Sequence, residues 1–202
     1  MEWSDIIKRL FTNKLSVFGI VIVFFFAIVA IFAPWIAPPA DPDEPYDIPR
    51  SGWKIAPTPP DADNIFGTTE GSYDIFYGMV WGSRTAFRIG FIVVGISTLI
   101  GIFVGTISAY YGGWFDEIMM RITDIFMSIP FLVAALVLTA ILGKGLDKVM
   151  VALIVFGWMG TARLMRSQVL EIKAEEFIDA AYALGAGDTR IIFKHVLLNS
   201  IF

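Results

Sequence analysis

The chain has 202 residues, of which 56% are hydrophobic, 15% aromatic and 17% charged, with a formal net charge of −4. Soluble domains carry roughly 45–50% apolar and about 25% charged residues, so this composition points to a membrane protein. The acidic balance argues against a nucleic-acid binder; the lack of cysteine excludes disulfides and thiolate chemistry, and the single histidine, His195, cannot form a metal cluster alone.

Taken in chain order, residues 1–14 are expected to form a cytoplasmic N-terminal tail. The apolar run that follows has 26 uncharged residues between Lys14 and Asp41. A signal peptide's apolar region is about 7–15 residues, so the run is expected to be a retained anchor. It predicts a first span over 15–37, closed by Pro34, Pro38 and Pro39. Residues 38–85 have no helical period and are rich in proline; from Asp41 to Arg84 eight acidic residues stand against three basic ones. They are predicted to be an ordered polar loop outside the cell.

Residues 86–202 are predicted to be the main transmembrane domain. Uncharged windows of 27 residues (Ile89 to Phe115) and 19 residues (Ile125 to Gly143) predict two more spans, the latter bent by Pro130. A 14-residue window, Val149 to Ala162, becomes a fourth crossing if Lys148 and Arg163 snorkel. Orientation follows from the basic residues. With the N-terminus cytoplasmic and four crossings, eight of the 15 Lys and Arg residues face the cytosol. Five (Arg50, Lys54, Arg84, Lys144 and Lys148) then lie outside.

Within the second span, Ser97, Gly101, Gly105 and Ala109 recur every four residues. Such a stripe lets a second helix approach closely, because lipid supplies no hydrophobic force between helices. The plainer reading is the general richness of membrane helices in glycine. Arg121 and Asp124, three apart, share a helix face and read as an interfacial ion pair.

After Arg163 the chain turns polar. Phe177, Ala180, Ala181 and Leu184 fall at i, i+3, i+4 and i+7, an apolar face of small footprint on a short helix. Gly185 and Gly187 break that helix, and Asp188 is placed to cap a second one near Thr189. The face suits either a groove on a partner or the membrane surface, and the pattern alone leaves both open.

The segment Asp179-Ala180-Ala181-Tyr182-Ala183-Leu184-Gly185, continuing through Gly187 and Asp188 to Asn199, resembles the EAA loop of ABC importer permeases, more narrowly their peptide/nickel branch. Further blocks agree in order: Gly82-Ser83-Arg84, Tyr111 to Glu117, Arg121, Asp124, Ile129-Pro130, Trp158 and Ala162-Arg163. Asp179 stands where the family usually has Glu, Leu198 replaces a usual proline, and Thr69, Ser72 and Tyr73 depart from the family's outer-loop pattern.

The resemblance implies an all-α polytopic helical bundle with the loop at about 163–199. It places Phe177, Asp179, Ala180, Ala181, Leu184, Gly185 and Gly187 in an ATPase-docking site and makes His195 a loop residue without catalytic work. The family has six spans; about four are expected here, so a fragment or truncated product is the expectation. The implied function is that of a non-enzymatic permease subunit in the cell membrane, importing peptides or a small solute such as nickel complexes. The implied partners are two cytosolic ATPase subunits, a second permease and an extracytoplasmic binding protein. No cofactor of its own is expected. The Gly-x4-Gly-Lys-Ser/Thr phosphate loop is absent from the sequence, so ATP is expected on the partner subunits. Two alternatives remain: an ion-coupled carrier or channel, which predicts midplane charges and discontinuous helices, and a non-functional permease remnant.

Overall fold

The computed structural model describes residues 10–200. The chain divides between Ile89 and Gly90 into two compact units.

In the first unit, helix α1 (Lys14–Ile36) starts where the Asn13 side chain accepts the Leu15 N–H at 2.9 Å. Its 23 residues extend about 35 Å, enough for a hydrocarbon core of about 30 Å. Most of its large apolar residues, Phe18, Phe24 and Phe25 among them, are exposed, while Ala30 and Ala33 are buried. These alanines let helix α2 (Ile75–Ile89) come close, and Tyr77, Val80 and Trp81 pack with Ala33 and Ala37. Trp81 Nε1 donates to the Ala37 carbonyl at 2.9 Å and Tyr77 Oη to that of Pro45 at 2.7 Å.

The loop between α1 and α2 is ordered without named strands: isolated bridges join Arg50 to Tyr73, and Thr68 to Thr58 and Asp74. Asn64, Thr68 and Ser72 are buried in it. Gly67 has φ +74°, and a Cβ there would lie 2.3 Å from the Thr58 carbonyl oxygen. The Asn64 backbone N–H, then its side chain, hold the Asp61 carboxyl below its ordinary range. The expected loop ends early. Helix α2 begins at Ile75, where Asp74 accepts the Tyr77 N–H at 3.2 Å; Gly78, Gly82 and Ser83 had masked the Tyr77/Val80/Trp81 period.

The second unit opens with a π-helical stretch, Gly90–Val94, and α3 (Gly95–Tyr111). Then come α4 (Gly113–Ser128), α5 (Phe131–Leu142), α6 (Leu146–Gly157) and α7 (Met159–Lys173). The last elements are α8 (Glu176–Ala183), the single turn α9 (Asp188–Arg190), a π-helical Ile191–Val196 and α10 (Leu197–Ser200). The unit is organised around α3 lying along α7. Its core gathers Ala109, Tyr110, Met165, Val169, Ile172, Ile178, Ile191 and Val196.

Among the described residues, three helical runs are long and apolar enough to cross a membrane: Lys14–Ile36, Ile75–Tyr111 and Leu146–Lys173. The count becomes four if α4 and α5 form one span. Two expectations change here. The bend expected at Pro130 is there but is a full break: α4 and α5 meet at 85°, because Pro130 has no N–H to continue the ladder and Ile129 before it is extended. The fourth is longer than its uncharged window, since Arg163 and Arg166 find partners and the helical run continues to Lys173.

Candidate functional site

The site is built where α7 leaves the bundle and the chain turns through α8 and α9. Helix α8 ends in a Schellman turn: Ala186 N–H donates to the Ala181 carbonyl at 3.0 Å and Gly185 N–H to that of Tyr182 at 2.9 Å. This closure requires Gly185 at φ +80°. Gly187 is extended at φ −75° and needs no glycine freedom.

The four apolar residues of the predicted face separate. Leu184 is 88% exposed, Phe177 42%, and Ala180 is exposed beside them. Ala181 is only 9% exposed and turns inward with Ile178 onto Ile191 and Val196. Ile178, which the sequence pattern missed, is the residue that fixes which side of α8 is buried. Asp179 is exposed. Asp188 does not cap the second helix: it is the first residue of α9, Gly187 is the cap, and no side chain caps it. The Asp188 carboxylate instead accepts the Tyr110 hydroxyl at 2.8 Å.

Behind the loop, α3 meets α6 and α7 along Ser97, Gly101, Gly105 and Ala109, all buried. A Cβ at Gly101 would lie 2.5 Å from Thr161 Cβ and 2.7 Å from the Trp158 carbonyl oxygen. At Gly105 it would lie 2.2 Å from the Ala162 carbonyl oxygen. Ser97 Oγ would stand 2.8 Å from a Cβ at Gly157.

Charged residues join the same helices. Asp116 on α4 accepts Arg166 Nε at 2.7 Å and Nη2 at 2.6 Å, with Ser108 Oγ donating at 2.6 Å. This fork links α3, α4 and α7 and neutralises a buried carboxylate. The expected Arg121–Asp124 pair is not formed. Arg163 on α7 reaches Asp124, and Arg121 turns to exposed Glu117 one turn before it at 3.7 Å. Sequence spacing sees only partners on the same helix, so Arg163 was beyond it. Asp116 had one visible signal: it is the first charge after the uncharged window that contains α3.

Residues 97–202, more than half of the chain, match the family described as binding-protein-dependent transport system inner membrane component. The chain belongs to this family. Residues 2–65 match a second description, the N-terminal TM domain of oligopeptide transport permease C. The chain is 37% identical over 199 residues to the oligopeptide transport system permease protein OppC of Bacillus subtilis (strain 168). It is 36% identical over 198 residues to that organism's dipeptide transport system permease protein DppC. It is 31% identical over 200 residues to the glutathione transport system permease protein GsiD of Escherichia coli O6:K15:H31 (strain 536 / UPEC). Each alignment covers 98% of this chain, which spans 63%, 60% and 64% of the respective relatives. Family and apolar helices together make the chain a helical, multi-pass membrane protein.

Proposed function

We propose that the permease is the membrane-spanning subunit of an ATP-driven importer, and that its loop helix α8 docks on a cytosolic ATPase. One observation carries this reading: α8 presents Phe177, Ala180 and Leu184 outward while Ile178 and Ala181 anchor its other side. An apolar face of that size, held by a closed turn on a helix that cannot rotate freely, is a preformed surface for a groove. Gly185 and Gly187 then serve the exit from the docked helix, and Asp179 lies at its rim. Two ATPase subunits, a second permease and an extracytoplasmic binding protein complete the importer, and ATP is bound by the ATPases. Alternating access follows when closure of the ATPase pair displaces the docked loops.

Relatives named for oligopeptide, dipeptide and glutathione transport favour a peptide cargo over nickel complexes. The ion-coupled alternative anticipates a discontinuous helix, and the α4–α5 break is one. Yet the cavity of about 260 Å³ at that break is lined by Phe126, Met127, Ile129, Pro130, Phe156 and Met159, with no charged side chain to hold an ion.

The test is cross-linking. Leu184→Cys, in a chain without native cysteine, should cross-link to a co-expressed ATPase subunit, and Ala180→Trp should weaken association while leaving the protein in the membrane. No cross-link at position 184, together with intact uptake by Ala180→Trp, would sink the reading.

A further inference from the structure

One buried phenol holds both arms of the loop. Tyr110, the penultimate residue of α3, is 5% exposed. Its hydroxyl accepts from Tyr182 Oη at 2.7 Å and donates to Asp188 Oδ1 at 2.8 Å. A phenol has one proton to give, so the chain Tyr182 to Tyr110 to Asp188 has a fixed direction. Tyr182 lies on α8, before the Gly185 turn, and Asp188 begins α9 after it. The same end of α3 is gripped a second time. Lys173 Nζ, at the close of α7, donates to the carbonyls of Ala109 at 3.2 Å and Tyr110 at 2.6 Å.

We propose that Tyr110 is a positioning residue that makes the loop and α3 move as one body, with Tyr182 and Asp188 as its two arms. Apolar contact between Ile178, Ile191 and Tyr110 opposes separation but tolerates sliding, whereas two hydrogen bonds fix direction as well as distance. A push on the exposed face of α8 then reaches the membrane-spanning helix without being absorbed by the glycine turn. The identity of what pushes rests on the docking reading above; the rigid link is a property of this chain alone.

The experiment is a distance measurement on the full chain in lipid nanodiscs, without any partner. Spin labels go on Leu99→Cys, exposed on α3, and Leu184→Cys, exposed at the loop. Position 99 stands about 17 Å along the helix from Tyr110, so the pair falls in the range of pulsed dipolar spectroscopy. The parent should give a narrow distribution. Tyr110→Phe and Asp188→Ala should broaden it roughly twofold, because each removes a member of a cooperative hydrogen-bond chain. Asp188→Asn keeps an acceptor oxygen and should stay narrow, a rescue that a role in general charge balance would not give. Unchanged width in Tyr110→Phe and Asp188→Ala overturns the proposal, and so does an Asp188→Asn distribution as broad as that of Asp188→Ala. If Tyr110→Phe fails to fold, Tyr182→Phe decides in its place: a broadened distribution supports the link, and an unchanged one ends it. Because no ATPase is present, a negative result here is separate from a failed cross-link at position 184.

Discussion

Valine at position 185 would put a branched side chain where φ is +80°. The left-handed region costs an L-residue roughly 1–2 kcal/mol, and the Schellman bonds from Gly185 and Ala186 go with it. Gly185→Val should therefore lower the thermal unfolding midpoint, whereas Gly187→Ala, with ordinary backbone and open space around its Cβ, should not change it. A midpoint equal in both variants would show that the turn is not set by Gly185. Ala181 teaches a related lesson. A tryptophan there meets Ile178 and the Ile191 side of the core, an overpacking worth about 1–3 kcal/mol, so a bulky docking probe belongs at exposed Ala180. The Asp116–Arg166 fork gives a second residue-level prediction. Arg166→Lys keeps the charge but loses the planar pair of donors. Since Arg166 is about one-third exposed, a loss of roughly 1–2 kcal/mol is expected, read by the same thermal assay.

At the scale of helices, the α3 stripe makes a graded prediction. Gly101→Leu and Gly105→Leu drive a side chain into Trp158, Thr161 or Ala162, two of them through backbone carbonyls that cannot swing away. Both should sharply reduce the yield of monodisperse protein in mild detergent, Gly105→Leu more severely. Phe103→Leu, at an exposed position of the same helix, should be close to parent. Equal yields at 103 and 105 would remove the packing argument. The four-residue recurrence of small residues was legible without coordinates because it is periodic within one helix. The long apolar runs were legible for the same reason: α1 differs from its predicted span by one residue at each end. What escaped was whatever depends on a second element. Arg163 reaches across to Asp124, Tyr110 joins two segments more than 70 positions away, and Ile178 decides the buried side of α8 only because Ile191 returns beneath it. The early start of α2 was hidden by its own glycines.

For the whole molecule, sidedness is the measurable quantity. The proposed orientation puts Asp47 outside and Gly187 in the cytosol. An impermeant thiol reagent on intact cells should label Asp47→Cys and spare Gly187→Cys. Labelling of Gly187→Cys would reverse the placement of the loop, and with it the docking proposal.

The bend at Pro130 gives that experiment a sharper meaning, which is one of parity. Three long helical runs alone would leave the N-terminus and the α8 loop on opposite faces of the bilayer; adding the α4–α5 pair as a crossing brings them to the same face. Helix α5, with 12 residues, rises only about 18 Å, short of a hydrocarbon core of about 30 Å. With both the N-terminus and the loop cytosolic, as proposed, α4 and α5 must traverse the bilayer jointly. The elbow between them then lies at depth, where every backbone group needs a partner that lipid cannot provide. Whether this broken pair crosses thus decides, by odd or even count, which compartment the proposed docking surface meets.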